Sequence, residues 1–131
     1  MIYVKINDIL YPASINGRMV DSEWDGRESK FITMDVDYTT INSMFVDNVT
    51  WSIVCEENIP LIDEDGNPIL NENGEQTYEI QQTEYDNGDF SMRGDIIAHA
   101  DGTCTVKMGK KTDEEELQET TDMLLLEILG V

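Results

Sequence analysis

The sequence predicts a β-rich α+β domain with about six to eight mostly antiparallel strands, a short helix near 38–46 and a C-terminal helix at 112–129. Two observations favour this class. Short runs of alternating apolar and polar residues, typical of half-buried strands, recur between turn dipeptides. The chain of 131 residues is 40% hydrophobic, which suits a single domain with its own core.

The N-terminal segment predicts an antiparallel meander. Residues 2–6 and 9–15 alternate as two strands, and Asn7-Asp8 between them supplies a turn. Asn16-Gly17 is a strong hairpin dipeptide, because both residues tolerate positive φ. Residues 18–20 are therefore expected to return as a third strand.

The next segment predicts a strand, a short helix and another strand. Residues 28–36 alternate, and Trp24 in the polar connection before them is expected to fold back onto the core. Asp37 suits the N-cap of the helix at 38–46, whose apolar residues recur at helical spacing. A β-branched and aromatic run at 49–55 predicts the following strand.

Residues 56–89 predict an acidic hairpin that projects from a β-rich domain spanning 1–111. Two successive octets, 63–70 and 71–78, echo each other: an acid or amide on either side of Glu, then Gly, then a return to apolar or aromatic residues. Each octet carries an Asp-Gly or Asn-Gly turn dipeptide. The segment is therefore expected to form either one long hairpin or two small ones.

A hairpin of strands 90–98 and 103–108, closed at an Asp-Gly dipeptide, precedes a C-terminal amphipathic helix in residues 112–131. Thr112 and Glu115 form a capping box at its start. Large apolar residues then recur at helical spacing as an oligomer or docking stripe: Leu117, Leu124, Leu125, Ile128 and Leu129. The stripe is expected either to pack on the open face of the sheet or to meet a copy of itself.

Charge is segregated along the chain. There are 28 acidic and 8 basic residues, the formal net charge is -20, and residues 31–92 contain no Lys or Arg. No direct nucleic-acid or membrane contact is expected, because phosphate groups are bound by basic side chains. The predicted partner-binding carboxylates of the hairpin are Asp63, Glu64, Asp65, Glu72, Glu75 and Glu79. They indicate either a solvated face or a surface that imitates the phosphates of DNA.

The sequence contains no catalytic or metal-binding pattern that marks candidate residues. One His and two separated cysteines cannot supply the four N or S ligands of a zinc site. Gly66 follows Asp63 by three positions rather than five, so the acidic segment does not match a calcium loop. We therefore expect no enzyme activity, no cofactor and no metal. Whether Cys55 and Cys104 pair stays open.

Seven short motifs carry a family resemblance over roughly residues 1–112. They are Ile2-Tyr3-Val4-Lys5-Ile6, Tyr11-Pro12-Ala13, Ile15-Asn16-Gly17, Trp24-Asp25-Gly26-Arg27-Glu28-Ser29-Lys30, Phe45-Val46-Asp47, Trp51-Ser52-Ile53-Val54 and Val106-Lys107-Met108-Gly109-Lys110. These motifs resemble a family of small acidic proteins encoded by phages and prophages of gut Firmicutes. The acidic hairpin is similar to a variable region of that family. Because the family's genes lie near tail and lysis genes, the resemblance implies a role at the tail, baseplate or fibre.

Two functions are therefore expected. The first is a non-enzymatic phage interaction protein, associated with the tail or baseplate, whose partner is a phage structural protein or a second copy bound through the C-terminal helix. The alternative is an acidic DNA mimic that inhibits a host defence nuclease, of the anti-CRISPR or anti-restriction type. Residues 1–5 lack the apolar run of a signal peptide, so the host cytoplasm during infection is expected, with the virion as a second location.

Overall fold

The computed structural model describes residues 1–128, and its β-rich α+β architecture confirms the predicted fold class. Within that range the chain forms seven strands and two helices: β1 (Ile2–Ile6), β2 (Ile9–Asp21), β3 (Arg27–Met34), α1 (Tyr38–Met44), β4 (Ser52–Pro60), β5 (Tyr78–Asp86), β6 (Met92–Ala98), β7 (Cys104–Gly109) and α2 (Asp113–Ile128).

The strands form one antiparallel sheet in the order β5-β4-β1-β2-β3-β7-β6. The long strand β2 joins its two halves. The first residues of β2, up to Pro12, pair with β1, and those from Ala13 onward pair with β3. As predicted, Asn7 and Asp8 make the tight turn between β1 and β2, with φ values of 51° and 63°.

The hairpin predicted at Asn16-Gly17 is wrong. Both residues lie inside β2, opposite Phe31 and Lys30 in an unbroken register. The chain reverses several residues later, where Asp25 has a φ of 58° and the next residue is glycine. Pairing along the whole of β3 therefore outweighs the local turn preference of the dipeptide.

The hydrophobic core lies on one face of the sheet, beneath α1. Alternate residues of the central strands, such as Ile32 and Val106, point into it and are completely buried. Trp51 is buried with them, and its indole N–H donates to the carbonyl of Phe90 at 3.1 Å. The rings of Phe45 and Phe90 both meet Trp51 edge to face.

The short helix α1 begins as predicted and ends earlier than predicted. The Asp37 carboxylate caps it by accepting the backbone N–H of Thr40 at 2.8 Å. The helix ends at Met44 rather than near residue 46, because Phe45 takes an extended conformation while its side chain fills the core.

Candidate functional site

The first turn of α2 is fixed to the sheet by an ion pair between Arg27 and Glu115. The Arg27 side chain is 2% exposed, and its two terminal nitrogens donate to the two Glu115 carboxylate oxygens at 2.6 and 3.1 Å. Such a two-pronged contact fixes direction as well as position. It therefore sets where α2 leaves the sheet.

The predicted capping box reinforces this attachment. The backbone N–H of Thr112 donates to Glu115 at 2.8 Å, and the backbone N–H of Glu115 donates to the Thr112 hydroxyl at 3.3 Å. The hydrogen bonds from Arg27, and next the one from the Thr112 backbone, lower the pKa of Glu115 from 4.5 to about 2. Glu115 thus stays ionised while it joins the helix cap to the sheet.

Beyond its first turn, α2 does not pack on the sheet, contrary to one of the two expected placements. No residue between Asp113 and Ile128 is buried. The predicted stripe residues within the described range are exposed by half or more: Leu117 by 68%, Leu124 by 54%, Leu125 by 51% and Ile128 by 81%. Leu129, the last predicted member, lies outside the described residues.

The acidic segment forms the tip of a long hairpin made by β4 and β5. Three positions spaced one octet apart, Leu61, Ile69 and Thr77, bind one another in a closed ring of backbone hydrogen bonds. Leu61 N–H donates to Thr77, Thr77 N–H to Ile69, and Ile69 N–H to Leu61, at 3.0, 2.9 and 3.0 Å. The echo between the octets therefore marks a repeated backbone structure.

Each octet turn is held by one side chain. Asp63 Oδ1 accepts the backbone N–H groups of Asp65 and Asn67 at 3.0 and 2.9 Å. Asn71 makes the equivalent pair of contacts one octet later, at 2.9 and 3.0 Å. Gly66 and its counterpart Gly74 have φ values of 81° and 77°, a region that favours glycine. Asp63 therefore braces a turn in addition to carrying charge.

The predicted acidic surface lies at this tip and along the start of β5. All six of its carboxylate residues are exposed. Within residues 1–128, none of the ion pairs involves residues 57–83. The carboxylates share the tip with exposed apolar side chains at equivalent octet positions, namely Ile62, Leu70 and Tyr78. The tip is thus both acidic and partly apolar.

A second polar cluster lies on the sheet face opposite the core. Asp21 is completely buried and accepts hydrogen bonds from Lys107, Ser29 and the Glu23 backbone at 2.5, 2.9 and 3.1 Å. The contact with Lys107 is the main cause that lowers the pKa of Asp21 from 3.8 to about 2. Because both of its oxygens already accept hydrogen bonds within the chain, the Asp21 carboxylate has a structural role.

Trp24 folds back next to this cluster, on the sheet face opposite the core, so the prediction that it packs onto the core is wrong. Its ring lies over the glycines of β6 and β7: a Cβ added to Gly109 would stand 2.7 Å from the ring, and one added to Gly94 would stand 3.0 Å away. The Arg27 guanidinium lies 4.8 Å from the ring centroid. Trp24 thus packs against the residue that holds α2.

Both cysteines are free thiols, with Cys104 buried and Cys55 half-buried. His99, the single histidine of the chain, forms a side-chain hydrogen bond with Thr105 at 2.7 Å. Among residues 1–128, no cluster of three His, Cys, Asp or Glu side chains is placed to hold a metal ion. None of the helices in that range is long and apolar enough to cross a membrane.

The comparisons with known proteins give no relative: no family model, curated protein or solved structure matches this chain. The candidate surfaces therefore rest on the geometry described above.

Sequence reasoning missed the role of Arg27. The capping box identified Glu115 locally, but the partner of its carboxylate lies 88 residues away along the chain. One signal was available: Arg27 stands next to a Trp-containing connection in a chain with few bases. That signal could have singled out Arg27 as a candidate for a specific contact, but it does not indicate that the partner is Glu115.

Proposed function

We propose that this chain is a non-enzymatic, phage-encoded interaction protein that acts as an accessory component of the tail or baseplate. The proposal rests on α2, which is fixed to the sheet at its first turn and exposes the described members of its apolar stripe beyond that turn. The phage tail context comes from the resemblance of the sequence motifs.

The physics of an isolated helix supports a docking role. A helix of 16 residues without tertiary packing is marginally stable in water, since helix stability in proteins comes mostly from burying an apolar face. Leu117, Leu124 and Ile128 follow one another at spacings of seven and four residues, which places them on one face. A partner groove, or a second α2, would bury that face and so stabilise the helix.

A second candidate function is favoured by the charge of the tip. Carboxylates that form no ion pair within residues 1–128, such as those of Glu64 and Glu72, could occupy the phosphate sites of a DNA-binding protein. In this alternative the chain is a DNA mimic that inhibits a host defence nuclease. The exposed Ile62 and Leu70 among these acids favour the first candidate, because phosphate sites offer no apolar contact.

Affinity capture from phage-infected cells, washed at about 0.1 M and at about 1 M salt, separates the two candidates. If α2 docks through apolar contacts, tail or baseplate proteins should remain bound at high salt. They should be lost when Leu124→Glu and Ile128→Glu are combined. Met123→Glu, which alters an exposed residue of α2 away from that face, is the matched control.

A charge mimic would behave differently in the same experiment. Its nuclease partner should dissociate as salt rises, because screening acts on exposed charges. That partner should also be lost when Glu64→Lys, Asp65→Lys, Glu72→Lys and Glu75→Lys are combined. A nuclease captured in this way, with no effect of the α2 changes, would refute the tail proposal.

A further inference from the structure

The strand β5 forms one edge of the sheet, and within residues 1–128 no other strand pairs with its outer side. All nine of its residues are exposed, and its register with β4 is unbroken from Tyr78 to Asp86. It contains no Pro, Lys or bulge, three of the features that keep a sheet edge from pairing, and its only charged side chains are the carboxylates of Glu79, Glu84 and Asp86. The opposite edge, β6, has a register irregularity between Arg93 and Ile96 and lies beside α1.

The backbone groups that β5 offers at this edge can be assigned. Leu61 N–H donates to Thr77, and Asn87 N–H donates to Trp51, so these two flanking pairs are hydrogen-bonded. Hydrogen-bonded and non-hydrogen-bonded pairs alternate along an antiparallel ladder. The odd-numbered residues of β5 therefore bond to β4. The even-numbered residues direct their N–H and C=O groups outward: Tyr78, Ile80, Gln82, Glu84 and Asp86.

From this edge we infer that the protein forms a symmetric dimer in which β5 pairs antiparallel with β5 of a second copy. A two-fold axis at Gln82 brings all five outward residues of each strand into the ladder. Gln82 then faces its own counterpart, Ile80 faces Glu84, and Tyr78 faces Asp86. The two seven-stranded sheets become one continuous sheet.

The charges of β5 suit this register. Its carboxylates are Glu79, Glu84 and Asp86, and none of them stands opposite another acid when the axis passes through Gln82. Glu79 faces Tyr85, and Glu84 is already bound by Lys5 at 2.8 Å within its own copy. A second copy is therefore an acceptable neighbour for this edge despite the acidic composition of the chain. The inference is independent of any partner of α2.

The variant that tests the dimer is Gln82→Pro. Proline removes an outward N–H and leaves the ladder with β4 intact, since residue 82 does not donate to β4. Loss of the symmetric pair of hydrogen bonds at the axis should weaken dimerisation by about tenfold or more. Gln82→Ala is the matched control, because it removes the same side-chain contact with Glu56 and keeps the N–H.

Sedimentation equilibrium over a range of concentrations gives the dissociation constant of each protein. We expect dimers for the native chain and for Gln82→Ala, and a shift toward monomer for Gln82→Pro. The native dimer should tighten as salt rises, because each copy carries a net charge of -20. A monomer at all concentrations, or a dimer that Gln82→Pro does not affect, would overturn the inference.

Amide hydrogen exchange of the native chain provides a test that does not depend on any variant folding. The amides of Ile80, Gln82 and Glu84 should become protected as concentration rises, whereas those of Gln81 and Thr83 should be protected at every concentration. If protection of the even-numbered and odd-numbered amides of β5 depends on concentration in the same way, the proposed ladder is contradicted. The double α2 variant should show the same pattern as the native chain.

Discussion

The guanidinium of Arg27 links the sheet to α2, and the strength of this link can be measured at a single residue. Glu115→Gln removes the charge from the contact but retains an oxygen that can accept the Thr112 N–H, so the helix cap survives. We expect a loss of about 2 kcal/mol in the free energy of unfolding, because a buried guanidinium loses the nearer of its two anionic partners and keeps only Asp25, at 3.5 Å.

Urea unfolding measures this loss, and amide exchange in the first turn of α2 localises it. Glu114→Gln is the matched control: it changes a neighbouring acid that does not contact Arg27 and should leave stability nearly unchanged. Equal stability of the two variants would show that the ion pair does not hold the helix.

The same carboxyl gives a pH dependence with a defined sign. The pKa of Glu115 in the folded chain is about 2, below its ordinary value of 4.5, so the unfolded chain takes up this proton first as pH falls. The stabilisation is therefore complete above about pH 4.5 and disappears by about pH 2. We expect the difference in the free energy of unfolding between Glu114→Gln and Glu115→Gln to decrease as the pH falls from about 4.5 to about 2. A difference that does not change with pH would contradict the claim that the ionised Glu115 carboxylate stabilises the fold.

Gly109 is required by the position of Trp24. A Cβ at this position would stand 2.7 Å from both the Trp24 ring and the Arg27 side chain, so Gly109→Ala should cost about 1–3 kcal/mol through overpacking. Gly17→Ala is the control, since its added Cβ would meet nothing closer than 3.8 Å. Urea unfolding followed by Trp fluorescence compares the two. If Gly109→Ala leaves the free energy of unfolding unchanged, Trp24 does not pack against this glycine.

At the scale of elements, the sequence predicts correctly those features that depend on contacts between neighbouring residues. The N-cap of α1, the capping box of α2 and the turn at Asn7 depend on neighbouring residues, and all three are present. The Asn16-Gly17 hairpin failed because its backbone groups are satisfied by β3, which the dipeptide alone cannot reveal. The Arg27 contact and the free edge of β5 depend on strand order, which a single sequence does not specify.

The tip of the β4–β5 hairpin gives an element-scale prediction. Asn71→Ala removes the acceptor of two backbone N–H groups, so amide exchange at Asn73 and Glu75 should accelerate by about fivefold or more, equivalent to about 1 kcal/mol of local stability. The ladder between β4 and β5 should be unaffected. Glu72→Ala is the control, because it removes an exposed side chain without a bracing role. Unchanged exchange in Asn71→Ala would refute the bracing role of that side chain.

At the scale of the whole molecule, several basic residues form ion pairs on the sheet, whereas the tip of the β4–β5 hairpin carries acids that form none within residues 1–128. Lys5, Lys107 and Lys110 all form ion pairs on the sheet. The tip and the outer part of α2 extend from that scaffold with acidic and apolar side chains exposed together. This distribution supports the proposal that the chain contacts partners through its extensions.

Site-specific photocrosslinking in infected cells tests the central claim, that α2 docks the chain on a partner, most directly. A photoreactive amino acid replaces Leu124 on the apolar face of α2, Glu119 on its acidic side, or Glu72 at the tip. We expect crosslinks to one tail or baseplate protein from Leu124 and few from Glu119. Crosslinks from Glu72 alone, to a DNA-binding nuclease, would contradict it.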